Sequence, residues 1–435
     1  MIDPNPVAPG RLPGDHPERR TLADEVHARP YEALETPERA SYLAVVVGVD
    51  QRTAERAHLD DLCERHGVAA PPAATNHFSA AFPTFRLKWE RHGEFSSWTV
   101  MVRGSSPAPF AEPAISQLPA DWLAAIPGRT LVAAHAKLIP APLGDVDPIE
   151  IARFFDGNVV VGAVIGDGAG YAFTDFQCHA DGFSRFVLLD RNFTRRQAGR
   201  MLQRLFEIES YRMMALLALP VARRDAPRVS AIEGALTSLT SDMARADGTD
   251  ELLLGHLSKL AADVESTLAA SQYRYGASRA YYELVRARTQ ELREVRIAGT
   301  QTIDEFMARR LAPAMATCES VSRRLNGLSE RVARASGLLS PRVDIARERQ
   351  NQLLLASMER RAGLQLRLQE TVEGLSVAAI TYYVAGLIGY LAKAGSATGL
   401  PLNPDLVVGI SIPCVAILTA LAIRQMRRRI VDAER

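Results

Sequence analysis

This sequence predicts an α+β cytoplasmic domain, followed by long antiparallel or coiled-coil helices and a C-terminal two-helix transmembrane hairpin. Three observations carry the prediction. Strand-like and helix-like runs alternate up to about Pro220, a three-and-four spacing of apolar residues takes over after it, and two uncharged apolar runs close the chain. The domains are then a Pro-rich N-terminus at 1–20, an α+β domain at 21–220, a helical region at 221–373, the hairpin at 374–423 and a basic tail at 424–435.

The first segment carries Pro4, Pro6, Pro9 and Pro13 and then Glu18, Arg19 and Arg20, so it reads as disordered. It offers no apolar core for a cleavable signal peptide. Residues 41–49 are an apolar, Val-rich run fit for a buried strand, and 53–66 has helical spacing through Ala57, Leu59, Leu62 and Cys63. Residues 85–91 and 95–103 flank His92-Gly93-Glu94 and read as a hairpin. Strand signals return at 130–139, 158–165, 171–178 and 183–189, the last three close enough for a meander. Met201, Leu202, Leu205, Ile208, Met213 and Leu216 make 195–219 a helix.

After Pro220 the period changes. From 251 to 295 a seam of threes and fours runs through Leu253, Leu257, Leu260, Val264, Leu268, Ser271, Tyr275, Ser278, Tyr282, Val285, Thr289 and Leu292. As a helix at about 1.5 Å per residue it is a rod of about 65 Å. A second seam follows at Val321, Leu325, Leu328, Val332 and Ala335, and Gly337 with Pro341 predicts a break before a third helix. Apolar seams of this length need a cover. The expected cover is either packing within the chain, or a homo-oligomer or partner helices through residues 250–340.

The apolar runs are 374–392, between Glu373 and Lys393, and 406–423, between Asp405 and Arg424. Each is close to the roughly 18–20 residues that cross a hydrocarbon core as a helix. Gly395, Gly399, Pro401 and Pro404 interrupt them, so the two form a hairpin that enters and leaves on one side. Arg360, Arg361 and Arg367 precede the first run, and Arg424, Arg427, Arg428 and Arg429 follow the second. Lys393 and Asp405 cancel in the loop between them. The positive-inside rule then puts both termini in the cytoplasm of a bacterial inner membrane, with the arginine tail as topology signal and head-group anchor and the lipid bilayer as partner.

Composition narrows the function classes. The net charge is +1, and only Lys88, Lys137, Lys259 and Lys393 among the 51 basic residues are lysines. The arginines are mixed with as many acids and form no single-sign face, which argues against nucleic-acid binding. Cys63, Cys178, Cys318 and Cys414 are far apart and belong to no metal-ligand spacing, so no metal and no cofactor is expected. Neither apolar run contains Asp, Glu, Lys, Arg or His, which argues against a charged relay at mid-membrane. Small residues there (Ala378 and Gly386, Ala385 and Gly389, Ala416 and Ala420) suit close helix contact.

Four motifs compete for a chemical role. Gly162, Gly166, Gly168 and Gly170 suggest a phosphate loop, but a strand follows them where a helix should, so Asp167-Gly168 reads as a hairpin turn. Asp24, Glu25, His27 and Arg29 crowd two acids, an imidazole and a guanidinium into one short stretch. They are the candidate functional cluster, able to bind an anion or metal, or only to close a hydrogen-bond network ahead of the first strand. Cys178 and His179, adjacent in a strand, would point to opposite faces. Glu55, His58 and His66 share a helix without a zinc-protease spacing and read as a solvated face. No catalytic set emerges, and the balance is against an enzyme.

The Asp24-Glu25-Val26-His27-Ala28-Arg29-Pro30 stretch, with residues 371–383, resembles a bacterial family of membrane-anchored proteins of unknown function. The resemblance covers the whole chain and implies inner-membrane anchoring. A looser likeness in layout points to the CorA-type magnesium channels, in which a Gly-Met-Asn triplet closes the first span. This chain has Gly389-Tyr390-Leu391-Ala392-Lys393 there, so the likeness implies topology without the filter. A membrane-tethered scaffold or interaction module is the first reading, and a cation channel or transporter without that filter is the alternative.

Overall fold

The structure is a computed structural model that describes residues 15–20, 22–23, 30–73, 75–106, 110–144, 146–245, 249–397 and 403–433. The first half is built from β1 (Glu38–Val46), α1 (Arg52–Arg65), β2 (His77–Ala81), β3 (Arg86–Arg91), β4 (Phe95–Arg103), α2 (Ala120–Ala124) and β5 (Arg129–Pro140). There follow α3 (Pro148–Ala152), β6 (Val161–Ile165), β7 (Gly170–Thr174), β8 (Ser184–Asp190), α4 (Arg195–Leu216) and α5 (Ala218–Arg245). Then come α6 (Asp250–Glu291), the two-residue β9 (Val295–Arg296), α7 (Ile303–Ala397) and α8 (Pro404–Ala433).

Among the described residues the strands form one nine-stranded sheet in the order β2-β3-β4-β1-β5-β8-β7-β6-β9. Every pairing is antiparallel except β5 with β8, so the predicted meander of β6, β7 and β8 returns beside β5. The turn between β6 and β7 is the expected hairpin. Asp167 and Gly168 both take positive φ, 61° and 90°, as a mirror-image turn demands, and no helix follows to receive a phosphate.

Alternation along the strands sorts side chains onto two faces. On the first face Tyr42, Phe186 and Leu188 meet Met201, Leu205 and Phe206 of α4, in an apolar core that continues to Leu325 and Val332 of α7. The second face carries two separate clusters. Trp89, Trp98 and Leu43 pack on Leu59, Leu62 and Trp122, while Phe173 and Val187 pack on Ile151 and Phe155. Each such side chain contributes about 1.5–3 kcal/mol by leaving water. Between the clusters, on β1, β5 and β8, the same face presents polar residues: Arg39, Ser41, His135, Lys137 and Arg185.

By their internal contacts residues 1–248 with 255–335 form one unit, and 249–254 with 336–435 a second. In the first, the α6 seam is filled from within the chain: Leu257, Val264, Tyr275, Val285 and Leu292 share a core with Val321, Leu328 and Ala335 of α7. In the second, the break expected at Gly337 and Pro341 does not occur, because α7 runs through both. A proline inside a helix costs about 3 kcal/mol. Burial of Leu339 and Val343 on either side of it offsets that cost, and Arg342 and Arg347 pair with Asp250 and Glu251 at the start of α6.

Candidate functional site

Asp24, Glu25, His27 and Arg29 lie outside the described residues. Arg424 is exposed on α8, and Arg427, Arg428 and Arg429 fall within the same helix. The remaining candidate features are the two apolar helices, a polar cleft under α4 and a histidine cluster on the opposite face of the sheet.

Among the described residues two helices are long and apolar enough to cross a membrane, and the apolar window of α8 reaches a mean hydropathy of 2.6 with no residue of it buried. They run against each other. A Cβ at Gly389 would come within 2.9 Å of Val408 Cγ2, so a glycine is needed where α8 approaches, and Ala385 and Ala392 are buried on either side of it along α7. Facing outward, Tyr382, Tyr383, Leu387, Tyr390 and Leu391 of α7 and Ile417, Leu418 and Leu421 of α8 are all exposed.

The cleft opens between α4 and the inner face of β3 and β4. The alternation Arg86, Lys88, Glu90 puts three charges on that face, where solvent is the ordinary destination. Instead Lys88 and Glu90 are buried and paired at 3.0 Å, and Lys88 Nζ donates to Gln203 Oε1 of α4 at 3.1 Å. The chain of bonds continues, since Gln203 Nε2 donates to Glu207 at 2.7 Å and Glu207 is held by Arg204 and by Arg288 of α6. Beside it the Tyr42 hydroxyl bonds Ser210 Oγ at 2.8 Å, and burial pushes the phenol up, so it stays protonated. The space a water centre can occupy is about 40 Å³, room for about three waters. Lys88, Glu90 and Glu207 all have partners, so the cleft suits hydrogen bonding to a small polar guest better than proton transfer or nucleophilic attack.

On the other face the expected strand to residue 178 stops at Thr174, and the chain beyond it is held by histidine. His179 Nδ1 lies 3.0 Å from Asp156 Oδ2, and Nε2 lies 2.9 Å from Asp175 Oδ2, off the line of a good hydrogen bond. Arg185 Nη1 also reaches Asp156, at 3.0 Å, and the His179 bond followed by Arg185 holds that carboxyl below its usual range. Asp156 and Phe176 take positive φ, 53° and 52°, a strained backbone in the loops this cluster braces. Cys178 is exposed with Sγ against its neighbour's carbonyl, so it shares no site with the enclosed His179 side chain. Among the described residues no group of His, Cys, Asp and Glu is arranged to hold a metal ion.

One histidine here has a measurable signature. His135 Nδ1 bonds Ser41 Oγ at 2.9 Å, its ring stacks on Phe183 at 3.8 Å, and burial pushes its pKa down from 6.5 to about 4, against the opposing pull of Asp181. Between those values the unfolded chain binds a proton that the folded chain does not, so stability rises with pH across this range. The contribution, about 3 kcal/mol at most, is complete above pH 6.5 and is lost as pH falls towards 4. His135→Gln is expected to flatten that acid limb in urea unfolding at pH 4.5 and pH 7. Equal pH slopes for variant and parent would discard the assignment.

The solvated-face reading of α1 is corrected. Glu55 is fully buried, His58 stacks on Trp122 at 4.3 Å, and His66 sits edge-on to Phe82 and Phe85. The reason is the layer formed by β3, the 82–85 turn and α2, which covers this side of the helix and whose register no single-helix pattern reveals.

No curated protein and no solved structure matches this chain. One family model does, over residues 14–430, which takes in the sheet, the helices and both apolar runs, and the chain belongs to that family, described as Protein of unknown function (DUF3422).

Proposed function

We propose that the chain is a multi-pass protein of the bacterial inner membrane, anchored by the α7–α8 hairpin with both termini in the cytoplasm, whose α+β domain works as a scaffold or interaction module. The observation that carries this is α8: an apolar window with no buried residue requires a lipid or protein cover. The arginines at both cytoplasmic flanks and the cancelling charges of Lys393 and Asp405 support the orientation. The paired charges of the α4 cleft favour binding over catalysis. Contact with further copies or partner helices through residues 250–340 belongs to the same reading. It rests on the outer faces of those helices, since the seam itself is filled. Within the Asp24, Glu25, His27 and Arg29 cluster, His27 stays the first residue to substitute in a search for lost function.

Reporter fusions placed after Arg435 and within 394–404 test the topology. Cytoplasmic and periplasmic signals respectively are expected, and a periplasmic C-terminus would end the proposal.

A second reading, a CorA-like cation channel or transporter lacking the Gly-Met-Asn triplet, is favoured by one feature: a single helix, α7, contains both the stalk seam and the first apolar run. Against it, Lys393 follows the first run where selective oxygens would be needed. Magnesium uptake by proteoliposomes above that of empty vesicles would promote this reading over the first.

A further inference from the structure

The polar band between the two clusters of the second sheet face contains an arrangement that stability alone disfavours. Arg39 of β1 and Lys137 of β5 are direct cross-strand partners, so two cations stand side by side on one face. Like charges in that position repel. Both are largely out of water, with 15% of the Arg39 side chain exposed and 7% of Lys137. Burial lowers the Lys137 pKa, and Arg39 lowers it further.

Their compensation is thin. Lys137 Nζ has a backbone carbonyl, Ser106 O, at 3.4 Å, and among the described residues no carboxylate within ion-pair distance. Arg39 Nη1 bonds the Glu112 carbonyl and lies 3.4 Å from the Glu112 carboxylate, which is itself 66% exposed, while the buried Arg39 Nε has no hydrogen-bond partner among the described residues. Below this pair Ser41 and His135, also cross-strand partners, bond each other, and the depressed His135 is neutral at pH 7. Arg39, Lys137, Ser106 and Ala114 line a small cavity whose space for a water-sized centre is about 10 Å³, one such occupant.

We propose that Arg39 and Lys137 hold a small anion in this cavity: a halide-sized ion, or the single anionic oxygen of a larger group reaching in from the Glu112 side. Two largely enclosed cations with one anion between them convert a repelling pair into a charge-assisted bridge across β1 and β5. The size of the cavity selects by radius. Chloride enters whole and inorganic phosphate presents one oxygen, whereas gluconate cannot be enclosed and, with a single charge spread over a carboxylate flanked by its hydroxylated chain, is the weakly bound reference.

The test uses the full chain in detergent at constant ionic strength, with sodium gluconate replaced stepwise by sodium chloride and, separately, by sodium phosphate. Two readouts are taken. The first is acetylation of lysines by an amine-reactive reagent, resolved by mass spectrometry with the exposed Lys259 as internal reference. Chloride is expected to slow labelling of Lys137 severalfold relative to Lys259. The second is the apparent unfolding midpoint, expected to rise by about 2 °C in chloride for the parent and to be insensitive in Lys137→Met. Protection by phosphate alone assigns the site to an oxyanion group. Labelling and midpoint that do not distinguish either anion from gluconate overturn the proposal, and so does a chloride response that survives in Lys137→Met. Labelling is read on the parent chain, so it decides the matter even where the variant fails to fold.

Discussion

A chain ending at Glu373 is expected to leave the membrane fraction, while the full chain resists alkaline carbonate and requires detergent. The difference rests on α8 and the last part of α7. Residues 406–423 alone hold ten Leu, Ile and Val side chains. At about 0.3–0.6 kcal/mol each on an insertion scale, these favour the bilayer by about 3–6 kcal/mol. A single Leu418→Arg, at a position 67% exposed to the surroundings of the helix, is expected to cost about 2.5–3.5 kcal/mol of that and to leave a mixed population. Circular dichroism on the shortened chain separates release from collapse. A shortened chain that still resists carbonate would mean that some other surface holds the protein to the membrane.

Glu55→Ala is expected to destabilise the α+β domain by about 3–5 kcal/mol, a large part of the roughly 5–15 kcal/mol that holds an ordinary domain. Glu55 is fully buried, and one oxygen accepts from Trp89 Nε1 at 3.0 Å while the other accepts from Arg91 Nε and Nη2 at 3.2 and 3.0 Å. Arg91 also lies over the Trp89 ring, 5.0 Å from its centroid. Truncation leaves the indole N–H without this acceptor and takes the carboxylate from a mostly buried guanidinium, which keeps its bond to the Arg52 carbonyl at 3.2 Å. Glu55→Gln keeps an acceptor for Trp89 and should lose about half as much. All three tryptophans, Trp89, Trp98 and Trp122, sit in the cluster around Glu55, so fluorescence-detected urea unfolding reports on this layer directly. A loss below about 1 kcal/mol would show that the pair contributes little.

Strands with a strong local signature were legible in the sequence. The 95–103 segment announces itself as β4 through Trp98, Val100 and Val102, and the Asp167-Gly168 turn through the residue types that tolerate positive φ. β2, with the sequence His-Phe-Ser-Ala-Ala, has no β-branched residue to mark it, and its antiparallel pairing with the neighbouring β3 holds it as a strand, which composition does not reveal. The continuity of α7 through Pro341 was hidden for a similar reason. Local chemistry argues for a break, and the packing of Leu339 and Val343 outweighs it. The cleft was the least legible feature, because its hydrogen bond from Lys88 to Gln203 joins residues 115 positions apart. The alternation in 86–91 was visible, yet by itself it sends the charges to solvent, and only α4 shows that they are covered. The arginine tail and the two apolar runs needed no partner to be seen, since length and charge define them.

β9 changes what the start of α7 can do. The loop from α6 to α7 is not slack: Val295 and Arg296 pair with β6, Gly162 N–H donates to Gln301 O at 2.8 Å, and Gly166 N–H donates to Leu292 O at 2.9 Å. The Glu294 carboxylate then accepts from the first backbone amides of α7, Ile303 at 2.8 Å and Asp304 at 2.9 Å. A tug on the first turn of α7 is therefore felt by the sheet as tension on its last rung, carried by backbone hydrogen bonds with no elastic spacer to absorb it.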